Sequence, residues 1–142
     1  MSEHLFHLRL SCRYDTDNKP VGLVVEALDN EQWQPLLLDT MTPGFLVYVY
    51  AIFTCQHLYL RTNSSERQLL LASATGEINV NADDEWTLQT VSIKFNVTLA
   101  NGTAGREDVE YIVSRMKQCP VSKNLPASAS VDTNVAFTDN NA

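Results

Sequence analysis

Alternating apolar and polar residues predict several strands along the chain. In residues 4–13 (HLFHLRLSCR), Phe6, Leu8, Leu10 and Cys12 share one face, and the polar residues between them share the other. This period of two is typical of a half-buried strand. The same kind of pattern predicts further strands over 21–28, 32–39, 68–82, 87–100 and 130–137.

The segment 42–61 (TPGFLVYVYAIFTCQHLYLR) is ambiguous in its local composition. Its β-branched and aromatic residues favour a strand, but it runs far longer than a usual strand of about five or six residues. Thr42 and Pro43 suit the N-cap and first position of a helix. A helix that is apolar nearly all round is expected when most of its surface is buried. We therefore predict a central buried helix.

A second helix is predicted over 106–118 (REDVEYIVSRMKQ). Its apolar residues have the i, i+3, i+4, i+7 spacing of one helix face, and they are Val109, Ile112, Val113 and Met116. Acidic residues open the segment and basic residues close it, which is the charge order that the helix dipole prefers. The elements then follow the order β-β-β-α-β-β-α-β, an α+β domain without repeats.

Length and charge narrow the classes of function. The 142 residues, 44% of them hydrophobic, suit one domain over 1–137 with a disordered tail at 138–142. The net charge of −7, with scattered Lys and Arg, argues against nucleic-acid or membrane partners. The beginning of the chain lacks the features of a signal peptide, so we expect a cytoplasmic protein with reduced thiols.

Three cysteines are the candidates for chemistry. Cys12 lies on the inward face of the first strand, where it is expected only to pack. Cys55 lies in the middle of the apolar helix and by itself is typical of a core residue. Cys119 directly precedes Pro120, at the end of the second helix.

Cys119 has two interpretations. Pro120 suits the first position of a new short helix with Cys119 as its N-cap, where free N–H groups, with help from Lys123, would favour a thiolate. The alternative is a buried cysteine at a helix junction, and local features alone favour that alternative.

His57 points to a different helix face from Cys55 and so cannot readily act as its base. A metal site from Cys55, His57 and Cys119 is conceivable, but the close ligand pairs typical of soft-metal sites are missing. No motif for a cofactor is present, and we predict neither a cofactor nor a metal.

These pieces together resemble the OsmC/Ohr family, the osmotically inducible and organic hydroperoxide resistance proteins. Thr42-Pro43 opens a buried helix with Cys55 twelve residues after the proline. A clear strand and an amphipathic helix follow. The stretch Cys119-Pro120-Val121-Ser122-Lys123 is similar to the second-cysteine signature of the family, and the resemblance covers nearly the whole chain.

The resemblance implies a long helix packed on a curved antiparallel sheet in an intertwined homodimer, with active sites near the interface. It also implies a thiol peroxidase. Cys55 would attack a small hydroperoxide and become a sulfenic acid, Cys119 would resolve it to a disulfide, and an external dithiol would reduce that disulfide. Aromatic residues of the helix (Phe45, Tyr48, Phe53) would then suit an organic hydroperoxide better than hydrogen peroxide.

One position departs from the family pattern. Active members commonly carry a glutamate directly after the proline that opens the helix, paired with an arginine that activates the first cysteine. Gly44 stands at that position here, beside the expected substrate pocket. Arg13 is the best candidate for the arginine, because it follows an N-terminal strand as the arginine of the family does.

Two rival functions therefore stay open beside the peroxidase. A catalytically weak or inactive member of the family would use the apolar pocket at the interface to bind a small lipophilic ligand. A purely structural stress protein would keep Cys55 and Cys119 as inert thiols, both slow to alkylate in the folded state.

Overall fold

The computed structural model describes residues 3–139 and contains six strands, two α-helices and one 3₁₀ helix. In chain order they are β1 (His4–Tyr14), β2 (Pro20–Asp29), β3 (Gln32–Pro35), α1 (Gly44–Glu66), β4 (Leu71–Ala82), β5 (Leu88–Leu99), α2 (Arg106–Met116), the 3₁₀ helix (Ser122–Asn124) and β6 (Ser130–Thr138). The predicted α+β class and the predicted order of strands and α-helices are confirmed.

All six strands form one sheet, in the order β3-β2-β1-β4-β5-β6. The pairs from β3 through β5 are antiparallel, as predicted, whereas β6 runs parallel to β5. The connection between those two strands contains α2, and a crossover of that kind is what a parallel pair needs. The sheet is therefore mixed rather than wholly antiparallel.

The core lies between the sheet and the helices. The predicted inward face of β1 is buried through Leu8, Leu10 and Cys12, and the alternate residues of β4 and β5 continue that surface. The helices cover it with buried apolar side chains, which are Val49, Ile52, Phe53, Leu60, Ile112 and Met116. Because the central three strands bury one face each, their sequences show the clearest alternation.

Gly76 of β4 is required by a close approach within this core. Its register partner on β5 is Phe95, and a Cβ atom built at Gly76 would lie 2.5 Å from the Phe95 ring. The ring therefore occupies the space that a side chain at position 76 would need. It stacks in turn on Phe53 and on His57 of α1, so this glycine fixes how α1 sits on the sheet.

The first helix begins later and ends later than predicted. It begins at Gly44 with Pro43 as its N-cap residue, and the Thr42 hydroxyl instead accepts a hydrogen bond from the N–H of Asp39. The helix continues past residue 61 to Glu66, because Asn63 turns inward and donates to the carbonyl of Tyr59 one turn before it. The polar residues from Thr62 to Glu66 therefore belong to the helix and not to a loop.

The last strand includes Thr138, so the predicted tail at 138–142 begins inside β6. Residues 140–142 of that tail lie outside the described residues. Within residues 3–139, no helix combines the length and the apolar character needed to cross a lipid bilayer.

Candidate functional site

The fold brings Cys55 and Cys119 together although 64 residues separate them (119 − 55). Cys55 lies in the middle of α1 and is partly exposed, whereas Cys119 follows α2 and is fully buried. The Cys119 thiol lies close enough to Cys55 to raise the pKa of Cys55, and both thiols are free. The arrangement is a dithiol with one partly exposed cysteine and one buried cysteine.

Burial disfavours the thiolate of Cys55. It is the main reason that the pKa of Cys55 rises to about 11, and the neighbouring Cys119 thiol adds to the rise. The N–H of Val121 acts in the opposite direction, since it favours charge on the Cys55 sulfur. No cationic side chain contributes to this pKa, so the chain by itself leaves Cys55 mostly protonated at neutral pH.

The segment that carries Cys119 differs from the predicted short helix. The 3₁₀ helix begins only at Ser122, so Cys119 is not an N-cap and Pro120 is not a first helical residue. The geometry nevertheless aims an amide at the sulfur: the N–H of Ser122 lies 3.4 Å from the Cys119 sulfur, and the Cys119 carbonyl accepts from Lys123. The Lys123 side chain is exposed.

Arg13 lies on the wrong face of β1 to reach Cys55 within one chain. Its neighbour Cys12 faces the helices, so alternation turns Arg13 outward, where it is exposed beside Gly22 of β2. The prediction that Arg13 activates Cys55 therefore has no support in the contacts of this chain.

The positive charge of Arg61 lowers the pKa of a different thiol, that of Cys12. Cys12, Tyr14 and His57 form a cluster between β1 and α1: the Tyr14 hydroxyl and Nε2 of His57 are hydrogen-bonded at 2.7 Å, and the Cys12 sulfur lies 4.0 Å from the same nitrogen. Burial raises the pKa of Cys12, while Tyr14 and Arg61 lower it. The sequence predicted that His57 points away from Cys55, and the structure places it there. The contact of His57 with Cys12 was not predicted.

The predicted aromatic pocket is only partly formed by the predicted residues. Phe45 and Tyr48 stack edge to face at the start of α1, and Phe45 also contacts Phe6 and the half-exposed Trp86. Phe53 does not join them, because it lies in the core. We call Phe6, Phe45, Tyr48 and Trp86 the aromatic cluster; it borders Gly44, where a Cβ atom would meet nothing within 4 Å.

The described residues contain no group of three or more His, Cys, Asp or Glu side chains placed to hold a metal ion. His57 is directed to Cys12 rather than to the Cys55–Cys119 pair, so the conceivable three-ligand set of Cys55, His57 and Cys119 is not assembled. The chemistry that the arrangement can support is thiol chemistry.

Solved structures with the same architecture share little sequence with this chain. An OsmC-like protein from Mycoplasma pneumoniae is 10% identical with a TM-score of 0.53, and the match covers 98% of this chain and 97% of that one. An OsmC-like hydroperoxide resistance protein from a Jannaschia species is 12% identical with a TM-score of 0.57, covering 85% and 86%.

A protein from Psychrobacter arcticus, described as an osmotic stress induced and detoxification response protein, is 14% identical with a TM-score of 0.54, covering 92% of this chain and 88% of that one. No protein-family model and no curated protein sequence matches the chain. The likeness is one of structure, over 85% to 98% of this chain. The chain therefore has the fold of the OsmC-like proteins.

Proposed function

We propose that this protein is a thiol-based redox protein of the OsmC/Ohr family that acts in defence against organic hydroperoxides. The observation that carries the proposal is the nearness of Cys55 and Cys119, which the fold brings together from distant parts of the chain. The similar architecture of the Jannaschia protein, which is described as an OsmC-like hydroperoxide resistance protein, supports it.

The proposed reaction is a two-electron reduction of a hydroperoxide. The Cys55 thiolate attacks the distal peroxide oxygen, the O–O bond breaks, and an alcohol leaves with a proton from solvent; Cys55 becomes a sulfenic acid. Cys119 then attacks the Cys55 sulfur, a disulfide forms and water leaves. A dithiol reductant returns both thiols and is itself oxidised to a disulfide.

Exposure supports this division of roles. Cys55 is the partly exposed cysteine of the pair, whereas Cys119 is fully buried. A peroxide therefore meets Cys55 first. The raised pKa of Cys55 makes the attack slow at neutral pH unless the assembled protein supplies a cation, because only the thiolate is an effective nucleophile.

We also propose a homodimer. Apolar side chains on β2 are exposed in the single chain, and they are Val21, Leu23, Val24 and Leu28. A stripe of this kind marks an interaction surface. Light scattering should give twice the mass of the chain, and a monomeric mass at micromolar concentration would contradict this part of the proposal.

The test of the redox function uses one equivalent of cumene hydroperoxide on reduced protein, followed by mapping of the cysteines by mass spectrometry. A disulfide between Cys55 and Cys119 within seconds is the expected result. The variant Cys12→Ser should behave as the wild type, and Cys55→Ser should consume no peroxide. If Cys55 and Cys119 were both still free thiols after an hour, the proposed peroxidase function would be ruled out.

A second candidate function rests on the aromatic cluster and on Gly44. Trp86 keeps 49% of its surface exposed beside Phe45, and Gly44 leaves open space at the start of α1. These features would suit a small lipophilic ligand in a protein with weak or no peroxidase activity. A ligand seen in native mass spectra, together with no peroxide turnover, would favour this alternative.

A further inference from the structure

Gln56 is the residue after Cys55 and is fully buried between α1 and the segment that carries Cys119. Its amide Nε2 donates to the carbonyl of Met116 at 2.8 Å and to the Ser122 hydroxyl at 2.5 Å. The same nitrogen lies 3.5 Å from the Cys119 sulfur. One amide therefore touches the beginning, the middle and the end of the turn 116–122.

The Gln56 amide is the main polar link between α1, which carries Cys55, and the turn 116–122, which carries Cys119. Among the described residues, the side-chain hydrogen bonds from α1 to the turn 116–122 come from Gln56, apart from those of the thiols themselves. The other hydrogen bonds of the turn are local, such as the one from the Cys119 N–H to the Met116 carbonyl. Because Gln56 and Cys55 are adjacent on a rigid helix, the link fixes the turn relative to Cys55.

Packing alone does not explain an amide at this position. The Oε1 atom of Gln56 is buried and has no hydrogen-bond partner among the described residues. An unpaired buried carbonyl oxygen costs on the order of 1–3 kcal/mol. A methionine would fill the same space and remove that unpaired oxygen, but it would also remove the donor that Gln56 offers to the Met116 carbonyl and the Ser122 hydroxyl. The amide therefore serves the turn 116–122 rather than the packing of α1.

We propose that Gln56 is a positioning residue that holds Cys119 against Cys55 and so sets the rate at which the disulfide closes. This inference rests on the proposed redox pair. A disulfide forms only when the two Cβ atoms come within about 3.5–4.5 Å at a restricted torsion angle. Holding two reacting groups in such a geometry is a large source of rate, and a loosened turn loses it.

The experiment that tests this inference compares the wild type with Gln56→Met by stopped flow and quenched mass spectrometry, with cumene hydroperoxide as the oxidant. The step that depends on peroxide concentration, oxidation of Cys55, should be unchanged. The step that does not depend on it, disulfide closure, should slow about tenfold or more. Sulfinic acid on Cys55 should accumulate at high peroxide, because the sulfenic acid then waits longer for Cys119.

Asn63→Leu is the matched control. Asn63 is another buried amide on α1, but it bonds to Tyr59 of its own helix and to Arg115 rather than to the Cys119 turn. If the loss of any buried amide slowed disulfide closure, Asn63→Leu and Gln56→Met would slow it equally. Equal closure rates in Gln56→Met and wild type would overturn the inference.

Diamide separates this inference from the peroxidase. A thiolate adds to its azo nitrogen, and the second thiol then displaces a hydrazine as the disulfide forms, so no peroxide is needed. If diamide but not peroxide closes the wild-type pair, the peroxidase fails and the role of Gln56 is decided by the diamide rates of the two proteins. If neither oxidant closes the pair, both proposals fall.

Discussion

The Tyr14 hydroxyl and Nε2 of His57 share a 2.7 Å hydrogen bond between the first strand and the long helix. His57 is 4% exposed and stacks on the Phe95 ring. Burial, and then the positive charge of Arg61, lower the pKa of His57 from 6.5 to about 4. The imidazole of His57 is therefore neutral in the core at neutral pH.

This pairing makes the stability of the fold depend on pH. The pKa of His57 is lower in the folded state than in the unfolded state, so protons favour unfolding. The stability is fully present above about pH 6.5 and is lost as the pH falls through 4. By linkage the loss approaches about 3 kcal/mol below pH 4. Urea unfolding at a series of pH values measures it.

The variant His57→Gln isolates this effect, because glutamine keeps an acceptor for Tyr14 but does not titrate. The difference in unfolding free energy between wild type and His57→Gln should change with pH between 6.5 and 4. The partly exposed His7, which contacts Glu77 on the sheet, provides the control variant His7→Gln. A constant difference between wild type and His57→Gln across this range would contradict the buried neutral histidine.

Gly44→Glu is expected to stabilise the fold without restoring a fast peroxidase. A Cβ atom at Gly44 meets open space, and α1 has no acidic residue in its first turn. A glutamate there gains the helix dipole and loses the flexibility of glycine, together about 1 kcal/mol. Peroxide consumption should stay within about threefold of wild type, because no arginine acts on the Cys55 thiol.

The isosteric variant Gly44→Gln is the control, because it adds the same bulk without the charge. Thermal unfolding of all three proteins separates the effect of the added charge on the helix dipole from the effect of the added bulk. A peroxide assay on the same proteins shows whether the charge activates Cys55. A tenfold faster turnover in Gly44→Glu alone would show that an arginine reaches the first turn of α1 in the assembled protein, as the family resemblance implies.

In Cys119→Ser, peroxide should still oxidise Cys55, but Cys55 should no longer be protected from further oxidation. Because Cys119 is the thiol next to Cys55, its loss removes the partner that would trap a sulfenic acid. Repeated peroxide should then convert Cys55 to the sulfinic acid, and turnover with a dithiol reductant should fall by about a hundredfold or more. Intact-mass measurement follows the added oxygens, and undiminished turnover would show that Cys119 is not the resolving thiol.

Local patterns were sufficient to predict the elements but not the contacts between them. The alternation in β1 and β5 predicted strands, because burial on one face imposes a period on the sequence. The length of the apolar segment 42–61 predicted α1, but the prediction stopped before Asn63, since a buried amide that bonds within its own helix leaves no periodic signal.

Which side chains meet is a tertiary property that periodicity does not contain. Alternation put Cys12 inward and Arg13 outward, and that much was available from the sequence alone. The pairing of Cys12 with His57 needs the register of β1 against α1, and the contact of Gln56 with Ser122 needs the path of the turn after α2. The nearness of Cys55 to Cys119 was predicted only through family resemblance, because 64 residues separate them.

Asn18 shows how one polar side chain fixes the β1–β2 turn to the rest of the fold. It is 4% exposed and has a positive φ of 57°. Its amide donates to the carbonyl of Leu69 and to the Ser65 hydroxyl, and its oxygen accepts from the N–H of Leu71. Asn18→Ala leaves those buried backbone groups unpaired, so we expect a loss of about 3 kcal/mol in unfolding free energy.

Asn30→Ala is the control for the backbone part of that loss. Asn30 also has a positive φ, of 49°, in the turn between β2 and β3, but it is exposed and makes no side-chain hydrogen bond among the described residues. Its replacement should cost only the strain of alanine in the left-handed region, about 1 kcal/mol. The excess loss in Asn18→Ala then measures the buried hydrogen bonds. Equal losses in the two variants would mean that these hydrogen bonds contribute nothing net, and that the turn is held by its backbone conformation alone.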